Sequence, residues 1–497
     1  MMQFNRRDFI KGGAYAAGAL AMGGCATADT RKVNVTQGKL NIGVIGVGGK
    51  GWSDWNPMLD YGENIVALCD ADRGQIERGL QEIAKKRGAD AAAKVKTYTD
   101  YRKLVDDIKK LGINAVTVST PDHHHGPAAI SAMQQGCHAY VQKPLVRTIA
   151  EAHWFERAAR ENKVVTQMGN QGSANKGLRR NVEVLQKGIL GNVTEVHVWT
   201  NRPIWPQGKP RPEGSDPIPE SLDWEAWIGS APMRPYKKDT YHPFKWRGFF
   251  DFGTGAFGDM ACHTMNVPFR GLELKDVIAA ECQTIVDPSD DMYPSQSIVK
   301  LTYAPRTGFA GNKLPAVNLF WYDGDKLKPA PEIMPQVIAT LGSVPRTGSL
   351  IIGDKGIMVS TNDYGAEAYI ALKGEEKARS VAKHEATAVD AIPEYIPRAR
   401  GDNNYEEFVD ACKGKVKAYA DIDHSVPMLE AMLVGCIAQR LPGTKLAWDS
   451  RKQTFGIANE LRQGVANADE AFAISDRDFV LTGLPQVGLS INFLERE

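Results

Sequence analysis

The sequence predicts an α/β protein, in which an N-terminal doubly wound parallel sheet is followed by an α+β domain built on a large, mainly antiparallel sheet. Three observations support this fold class. Up to about residue 170, short apolar runs alternate with helical patterns, as in a parallel sheet covered by helices on both faces. After residue 175, strand-like runs alternate apolar and polar residues, which is typical of strands with one open face. The length of 497 residues exceeds one ordinary core and favours two domains.

The first domain is predicted from five apolar runs, each short enough for a buried strand. They lie at residues 40–46, 65–70, 113–119, 137–141 and 164–168. The segments between them are long enough for crossover helices, which we expect at 74–87, 127–136 and 148–161. In the first of these helices, Ile76, Leu80 and Ile83 recur on one face. This order of strands and helices predicts parallel pairing of the strands.

The second domain has a different pattern. We predict a helix at 177–188 and strands at 193–199, 277–286, 296–303, 315–322 and 349–360. Residues 201–250 are rich in Pro and Trp and lack a regular period, which in a compact protein indicates a functional loop or lid. Residues 362–400 are expected to be surface loops. Helices at 403–412 and 426–440 are predicted to return the chain towards the first domain.

These patterns divide the chain into five segments. We expect a signal segment, a linker, a first domain, a second domain and a C-terminal extension at residues 1–25, 26–38, 39–172, 173–440 and 441–497, respectively. No internal repeat or low-complexity tract interrupts this division.

The N-terminal segment has the features of an export signal. Residues 5–11 (NRRDFIK) resemble the twin-arginine signal, and a weakly hydrophobic Gly/Ala run follows over 12–24. Residues 22–25 (MGGC) form a loose lipobox, so lipidation of Cys25 and simple cleavage nearby both stay open. We expect an exported protein, periplasmic or lipid-anchored at the cell envelope. No later stretch is long and uncharged enough for a transmembrane helix.

Charge and cysteine content argue against several function classes. Lys plus Arg number 60 against 59 Asp plus Glu, which gives a formal net charge of +1. Such a chain has no strong field to attract nucleic acid or an acidic membrane surface. The seven cysteines are scattered, without a CxxC pair, so we expect neither a metal site nor a disulfide framework. Apart from Cys25, they are expected to be buried small apolar side chains, at Cys69, Cys137, Cys262, Cys282, Cys412 and Cys436.

A glycine-rich loop follows the first predicted strand. Gly46, Gly48 and Gly51 fit the pattern G-x-G-x-x-G, with Gly49 and Lys50 between them. The glycines permit a tight turn and let backbone amides approach a pyrophosphate at a helix N-terminus. Taken alone, the motif could equally be an ordinary glycine-rich turn.

An acidic residue at the end of the second strand strengthens this interpretation. Asp70 lies there, with Asp72 beside it, at the spacing of a group that binds ribose hydroxyls. Motif, acid and strand–helix–strand context together predict a Rossmann domain that binds a nicotinamide dinucleotide. Because Asp70 repels a ribose phosphate, NAD is expected rather than NADP. Arg73 could stack on the adenine or hold a phosphate, which keeps NADP open.

Residues 120–125 (TPDHHH) follow the strand predicted at 113–119. Ligands meet the carboxyl ends of strands in this fold, so Thr120, Pro121 and His125 are expected beside the cofactor. Three adjacent histidines in an extended loop cannot all point one way, and no Cys, Asp or Glu cluster supports them, so a metal is not expected. We expect a loop that packs under the nicotinamide, with one histidine hydrogen-bonded.

The chain resembles a known family over about residues 40–440, the glucose–fructose oxidoreductase, inositol dehydrogenase and rhizopine-catabolism family, written Gfo/Idh/MocA. The resemblance rests on the glycine loop, the strand ending at Asp70, the loop beginning at Thr120, and residues 142–144 (QKP) and 258–263 (GDMACH). The stretch DWEAWIG, which precedes much of the Pro/Trp-rich segment, also looks like exported bacterial members. The resemblance implies an NAD(P)-dependent oxidoreductase that acts on a sugar or polyol CH–OH group.

The family's catalytic residues fall on Lys143, Asp259 and His263. Lys143 precedes Pro144 at the end of a buried strand, so it can contact the cofactor and stabilise negative charge on a substrate oxygen. Asp259 and His263 are spaced i, i+4 and share one helical face, so the Asp would orient the ring and the His would take the alcohol proton. From the residues alone, a surface lysine and an ordinary helical ion pair are alternatives. Gln142 replaces the family's usual glutamate, which leaves the charge state of Lys143 open.

The expected substrate is a small carbohydrate, because aromatic faces on the Pro/Trp-rich segment suit the apolar C–H face of a sugar. Substrate candidates, each of which could instead be a packing residue, are Asn170, Gln171, Tyr241, His242, Trp246 and Arg247. The exposed sheet of the second domain commonly mediates oligomers in this family, so a homo-oligomer is expected.

Export raises the question of how a nicotinamide cofactor is regenerated. The twin-arginine route carries folded proteins, so we expect a tightly bound cofactor. Oxidation of a sugar or polyol, alone or coupled to reduction of a second sugar, is the favoured function. A redox-neutral glycosidase, which transiently oxidises a ring hydroxyl and then eliminates the glycosidic group, is an alternative. A non-catalytic carbohydrate-binding protein is another, although Lys143, Asp259 and His263 together argue against it.

Overall fold

The computed structural model of the protein describes residues 33–308, 310–450 and 454–457. The predicted export signal, Cys25 and most of the predicted C-terminal extension lie outside these residues. The described part of the predicted linker lies against the folded protein. The amide of Asn34 donates to Lys163 O and that of Thr36 donates to Cys412 O, both at 2.8 Å.

The first domain is a six-stranded parallel sheet. Its strands are β1 (Asn41–Ile45), β2 (Asn64–Cys69), β3 (Lys96–Tyr98), β4 (Ala115–Val118), β5 (His138–Val141) and β6 (Thr166–Met168). Their order is β3-β2-β1-β4-β5-β6, and every neighbouring pair is parallel. Doubly wound sheets of this order bind ligands at the carboxyl edge, near the switch between β1 and β4. The five predicted strands are confirmed, whereas β3 was not predicted because its residues are mostly exposed.

Helices cover this sheet. They are α1 (Lys50–Asp60), α2 (Arg73–Arg87), α3 (Ala89–Ala93), α4 (Tyr101–Asp106), α5 (Ile108–Leu111), α6 (Asp122–Gln134) and α7 (Ile149–Asn162). Local sequence explains where they begin. Asp72 caps α2 by accepting from a first-turn amide, and Thr148 and Glu151 form a capping box at α7. Helix α6 begins at Asp122 rather than at residue 127, so the three histidines are helical.

The second domain is built on a ten-stranded mixed sheet. In chain order its strands are β7 (Val193–Trp199), β8 (Val277–Val286), β9 (Gln296–Tyr303), β12 (Val317–Asp323), β13 (Gly348–Gly353), β14 (Gly356–Ser360), β15 (Ala368–Leu372), β16 (Arg379–Ser380), β17 (Lys445–Asp449) and β18 (Thr454–Ile457). Between β9 and β12, a separate two-stranded sheet is formed by β10 (Arg306–Thr307) and β11 (Lys313–Leu314). The sheet order is β16-β15-β14-β13-β7-β12-β9-β8-β17-β18. All pairs are antiparallel except β7 with β12. Buried and half-buried residues alternate along β9 and β12, which leaves one face of the sheet open.

The helices of the second domain bring the chain back to the first. They are α8 (Lys176–Gln186), α9 (Trp224–Ile228), α10 (Gly255–Thr264), α11 (Asn266–Gly271), α12 (Pro335–Leu341), α13 (Asn404–Cys412) and α14 (Ile422–Gln439). All residues of α10 are buried. Since α10 carries Asp259 and His263, its packing against neighbouring helices determines where these two residues lie.

Three predictions about the second domain are corrected. Residues 362–400 are not only surface loops, because they contain β15 and β16 and Ile370 is fully buried. The sheet continues past residue 440, because β17 pairs with β8. Residues 201–250 are mostly irregular but do not form an open lid. Many of their large side chains bury one another, together with Phe252 and Met292, in an aromatic cluster made of Leu222, Trp224, Trp227, Ile228, Ala231, Tyr236, Tyr241, Trp246, Phe249, Phe252 and Met292.

The six cysteines in the described residues are buried, as predicted. Within the described ranges, each helix is too short or too polar to cross a membrane.

The contact between α10 and α14 gives a first test of the fold. A Cβ on Gly435 of α14 would come within 2.2 Å of the Phe257 ring on α10, and that ring is stacked on Trp321 with centroids 4.7 Å apart. We expect Gly435→Ala to lower the free energy of unfolding by about 1–3 kcal/mol, because overpacking forces neighbouring groups to shift. Denaturant unfolding measures the loss.

Gly74→Ala in α2 is the matched control, because its new Cβ meets only Asp72 Oδ1, at 3.3 Å. This variant is expected to be neutral or slightly stabilising, since alanine favours helix over glycine. Equal losses in both variants would contradict the packing explanation.

Candidate functional site

The turn between β1 and α1 requires glycine at the positions where a Cβ would collide with neighbouring atoms. Gly46 has φ +86°, and a Cβ there would lie 2.5 Å from Ser119 O. A Cβ on Gly51 would lie 2.0 Å from Gly46 O, and one on Gly48 would meet the side chain of Gln75 at 2.5 Å. The first and third glycines therefore let α1 pack directly on the strand ends, as a phosphate-binding turn requires.

Asp70 holds this turn from the end of β2. Its Oδ2 accepts from the amides of Val47 at 2.9 Å and Gly48 at 3.1 Å, and its Oδ1 accepts from the amide of Asp72 at 3.0 Å. Burial raises the pKa of Asp70, although the three amides oppose that shift. Oδ1 keeps a lone pair for a ribose hydroxyl. Gly49 has φ +52° and open space where a Cβ would be, so the turn is accessible on one side.

Two unpartnered oxygens lie further along the same edge of the sheet. Thr120 Oγ1, after β4, and Asn170 Oδ1, after β6, are buried and have no hydrogen-bond partner among the described residues. Because buried polar atoms are normally hydrogen-bonded, these two atoms fit the polar groups of a bound nicotinamide ribose or carboxamide. The residues present therefore fit a dinucleotide laid across this edge.

Lys50, expected to bind the cofactor, is directed elsewhere. Its Nζ donates to Asp54 Oδ1 at 2.6 Å and to the hydroxyl of Tyr405 at 2.9 Å. The side-chain oxygen of Gln171 accepts from the same Nζ at 2.9 Å. The ammonium thus joins α1 to the second domain and pairs with a carboxylate that is fully buried and would otherwise lack a cation.

The three histidines are not an extended loop, because they form the first turn of α6. His123 Nε2 and His124 Nε2 both approach Trp227 O, at 3.2 and 2.9 Å, and burial lowers the pKa of His124 to about 4. A neutral imidazole donates a hydrogen bond through one nitrogen, so each ring can donate its one N–H to that carbonyl. These two residues therefore attach the first domain to the aromatic cluster. Within the described ranges, no group of three or more His, Cys, Asp or Glu is placed to hold a metal.

His125 lies between two loops of the site. Its Nδ1 is 2.7 Å from Pro144 O and its Nε2 is 2.9 Å from Thr120 O. Burial lowers the pKa of His125 to about 4, so the ring is neutral and one nitrogen donates at a time. The Lys143–Pro144 peptide bond is cis. His125 thus links the loop after β4 to the backbone that carries Lys143. Pro121 precedes α6 directly, at the start of that helix.

Lys143 is held by a residue of the second domain. Its Nζ lies 2.8 Å from Asp259 Oδ1 and 3.0 Å from Asp259 O. Arg247 Nε donates to the same Oδ1 at 3.2 Å. Burial alone raises the pKa of Asp259, but Lys143 and Arg247 outweigh it, so its pKa lies below the ordinary value. Asp259 is therefore ionised and fixes both cations.

The predicted orientation of His263 by Asp259 is wrong in this structure. The Asp259 carboxylate binds the two cations instead, and His263 Nδ1 has no hydrogen-bond partner among the described residues. Burial, then the charge of Lys143, lowers the pKa of His263 to about 3. The ring is neutral and lies edge-on to Tyr364, with centroids 5.2 Å apart. A neutral imidazole has one ring nitrogen that can accept a hydrogen bond.

The replacement of glutamate at position 142 is balanced by a buried acid that the sequence did not reveal. Gln142 Nε2 donates to Asp54 Oδ2 at 3.0 Å, and Gln142 Oε1 accepts from the Lys143 amide at 3.1 Å. Asp54, which is fully buried, also accepts from Ser119 Oγ at 2.7 Å. A carboxylate thus remains next to position 142, although it comes from α1.

Sequence reasoning also missed Asp122 and Tyr364. Asp122 is buried at the start of α6 and accepts from Thr254 Oγ1 at 2.8 Å. Burial and the charge of Asp259 raise its pKa to about 7. Tyr364 lies in a segment expected to be surface loop, and its side chain is 45% exposed beside His263. Nothing in the local sequence distinguishes either residue, since only the fold brings them to the site.

The substrate candidates separate into three groups. Arg247 lies at the site and stacks on the Phe244 ring at 4.4 Å, and Asn170 donates to Cys262 O at 3.3 Å. His242 lies instead near the acids that follow β2, whose charges act on it. Tyr241 is 2% exposed and Trp246 is 6% exposed. Both are packing residues of the aromatic cluster, which corrects their assignment.

The fold is that of an NAD-binding oxidoreductase family. A family model described as an oxidoreductase NAD-binding Rossmann fold matches residues 40–170, and its C-terminal alpha/beta domain matches residues 178–292. The chain belongs to the Gfo/Idh/MocA family of oxidoreductases, and NAD is the cofactor of its first domain.

Curated relatives share part of the chain. It is 28% identical over 211 residues to an alpha-N-acetylgalactosaminidase of Shewanella oneidensis, covering 39% of this chain and 45% of that protein. A glycosyl hydrolase family 109 protein of Shewanella sp. strain ANA-3 matches with the same identity and coverage. The chain thus matches less than half the length of these relatives.

Solved structures with the same fold cover most of the chain. The WlbA dehydrogenase from Bordetella pertussis, in complex with NADH and UDP-GlcNAcA, aligns with a TM-score of 0.52 and 16% identity, covering 83% of this chain and 99% of that one. An inositol dehydrogenase homolog from Azotobacter vinelandii, complexed with NADH and myo-inositol, aligns with a TM-score of 0.52 and 16% identity, covering 84% and 99%.

The buried histidine makes stability depend on pH in a testable way. The pKa of His263 is about 3 in the folded protein and about 6.5 in an unfolded chain. Below pH 6.5 the unfolded chain binds a proton that the folded protein does not, so this residue destabilises the fold as the pH falls. Between pH 7 and 5, the free energy of unfolding should fall by roughly 2 kcal/mol more for the wild type than for His263→Asn.

Denaturant unfolding at both pH values measures this difference. Buried carboxyls such as Glu151 and Asp323, whose pKa burial raises to about 7, act in the opposite direction but are common to both proteins. His138→Asn is the control, because burial lowers the pKa of His138 to about 4 and it should give a similar difference. Parallel pH profiles for wild type and His263→Asn would show that His263 is not buried and neutral.

Proposed function

We propose that the protein is an NAD-dependent oxidoreductase that acts on a hydroxyl of a sugar, polyol or glycoside and retains its cofactor between turnovers. One observation carries the proposal. Lys143 from the first domain and His263 from the second come together at the carboxyl edge of the Rossmann sheet, because Lys143 pairs with Asp259 and the charges of both residues act on His263. A lysine held by a carboxylate and a neutral histidine with a free lone pair are the groups that alcohol oxidation needs.

NAD, when bound, supplies the acceptor for the hydride that leaves the alcohol carbon. Residues of the turn at Gly46, together with Asp70 and Thr120, would hold it. Lys143 donates to the alcohol oxygen and stabilises the negative charge that develops there. His263 accepts the hydroxyl proton, so the C–O bond becomes a carbonyl while one proton remains on the ring.

Exposed rings beside the polar groups support a carbohydrate substrate. Tyr364 is 45% exposed and Phe244 is 42% exposed, and both lie next to site residues, His263 and Arg247 respectively. Aromatic faces of this kind suit the apolar C–H face of a sugar. The two neighbours crystallised with UDP-GlcNAcA and myo-inositol hold polyhydroxylated rings, which agrees with this class of substrate.

A redox-neutral glycosidase is the second candidate, favoured by the relatives that carry glycosidase names. Transient oxidation of a ring hydroxyl acidifies the neighbouring C–H, loss of that proton expels the glycosidic group, water adds, and the returning hydride restores the hydroxyl. This sequence needs a second group that handles protons. Asp122, with a pKa that burial raises to about 7, can hold or release a proton near neutral pH.

We extend the proposal to the compartment and the assembly. The twin-arginine-like residues, which lie outside the described ranges, support export with the cofactor bound, followed by a periplasmic location or anchoring through Cys25. The open face of the ten-stranded sheet carries a stack of His197 with Phe320 and Tyr322, with centroids 5.2 and 5.8 Å apart. We propose that this face mediates a homo-oligomer.

The role of Lys143 is tested with a variant that keeps its charge. We expect Lys143→Arg to retain bound NAD but to lower the rate of cofactor reduction by about 10²–10³-fold, since the donor to the substrate oxygen is displaced. Holoenzyme is mixed with a panel of sugars, polyols and glycosides, and absorbance of the reduced nicotinamide is followed.

His263→Asn is expected to lower the same rate by about 10²–10⁴-fold, because the proton acceptor is lost. His138→Asn is the matched control, since His138 is equally buried but lies in β5 and contacts Thr36 and Val165. Its turnover per folded molecule should stay within twofold of the wild type. Unchanged reduction rates in both site variants would remove the proposed mechanism.

One assay separates the two candidate functions. Holoenzyme is incubated with aryl glycosides, and aglycone release and reduced nicotinamide are followed together. An oxidoreductase gives reduced cofactor without aglycone, whereas a redox-neutral glycosidase gives aglycone without net reduction. Aglycone release that persists after NAD has been stripped from the enzyme would contradict both.

A further inference from the structure

A segment of the second domain pairs with the turn that follows β2. We call residues 220–228 the strap. Leu222 forms an antiparallel bridge with Asp72. Two backbone hydrogen bonds flank the bridge, from the Arg73 amide to Ser221 O at 2.9 Å and from the Asp223 amide to Ala71 O at 2.8 Å. The strap therefore adds a strand-like contact to a turn of the other domain.

Side chains strengthen this contact. Arg73 Nη1 donates to Glu220 O at 3.2 Å. Thr99 Oγ1, just beyond β3, donates to Asp223 Oδ2 at 2.9 Å, while Asp223 Oδ1 caps α9 by accepting from the Ala226 amide at 3.0 Å. One carboxylate thus fixes the start of α9 and ties it to the first domain.

The other end of the strap is anchored as well. The Nε2 atoms of His123 and His124, in the first turn of α6, both hydrogen-bond to Trp227 O. A Cβ on Gly229 would come within 2.2 Å of the His124 ring, so the chain after α9 lies directly on that ring. The strap is held at both ends on the first domain.

The strap acts on the ribose-binding acid through one residue. Asp72, which is bridged to Leu222, donates its amide to Asp70 Oδ1 at 3.0 Å. Asp70 is the group that the adenosine ribose of NAD would meet under the proposed function. A strap that fixes Asp72 therefore fixes the carboxylate of Asp70, and the charges of both acids act on His242 of the second domain.

We propose that the strap completes the adenosine end of the cofactor site and makes NAD slow to leave, so that the second domain holds the cofactor as well as the substrate. The inference rests on the proposed function, because it assumes that NAD lies along the edge marked by Asp70. Arg73, expected to contact the cofactor, becomes a positioning residue whose guanidinium is tied to the strap.

The test measures release of NAD from the full-length holoenzyme. Protein is loaded with NAD, freed of excess nucleotide, diluted, and sampled over time for protein-bound NAD. We expect Asp223→Ala, which loses the tie to Thr99 and the cap of α9, to release NAD about tenfold faster than the wild type. Thr99→Val, which loses only the tie, should release it about threefold faster.

Thr302→Val is the matched control. Thr302 is half-buried like Thr99 and its hydroxyl donates to one side chain, Asn318 Oδ1, at 3.3 Å, but it lies in β9 of the large sheet. Its release rate should equal that of the wild type. Thermal unfolding of each variant shows whether it is folded at the assay temperature.

Each outcome separates the strap from the proposed function. Faster release in both strap variants, with an unchanged control, supports the strap. The proposed role of the strap is overturned, while NAD binding stands, if both strap variants release NAD at the wild-type rate or if Thr302→Val releases it as fast as they do. A wild-type protein that takes up no NAD overturns the proposed function, and the strap with it.

Discussion

The site depends on one ion pair, which joins Lys143 of the first domain to Asp259 of the second. Nζ reaches both the carboxylate, at 2.8 Å, and the backbone carbonyl, at 3.0 Å, of the same residue. Both side chains are largely buried, and a buried pair offsets its desolvation only when further hydrogen bonds satisfy it. Arg247 supplies one of them. Removing either partner of the pair would leave the other charge largely buried without its counter-ion.

Around this pair, burial keeps nearby histidines neutral and lets one acid keep its proton. The pKa of His125 is lowered to about 4 and that of His263 to about 3, and the charge of Lys143 contributes in both cases. A neutral ring can donate its one N–H to either of two nearby carbonyls, as His125 does, or keep a ring nitrogen without a partner among the described residues, as His263 does. The pKa of Asp122 is raised to about 7. The site thus combines one fixed ion pair, two neutral imidazoles and one acid whose protonation can change near neutral pH.

Much of the fold could be predicted because its signals are local. Strands that are buried on both faces have apolar runs in the sequence, and these runs predict β1, β2 and β4 to β6. Strand β3 has no such run, because its three residues are mostly exposed. Helix α6 begins five residues before the predicted start, because three consecutive histidines carry no apolar period. The carbonyl that holds two of them, Trp227 O, lies more than a hundred residues away along the chain. The Pro- and Trp-rich segment lacks a period because its side chains pack on one another and not on a regular face.

The choice of partners within the site could not be predicted. Sequence spacing shows which residues share a helical face, but not which distant residue the fold brings into contact with them. Asp259 and His263 do share a face of α10, yet Lys143, 116 residues away along the chain, takes the carboxylate. An ammonium and a guanidinium outcompete a buried neutral imidazole for an anion. The same reasoning explains Gln142. Losing a glutamate there suggests a loss of charge, but Asp54, 88 residues earlier, supplies the carboxylate. The carboxylate beside position 142 is therefore a property of the folded site, because α1 presents an acid to the Gln142 amide.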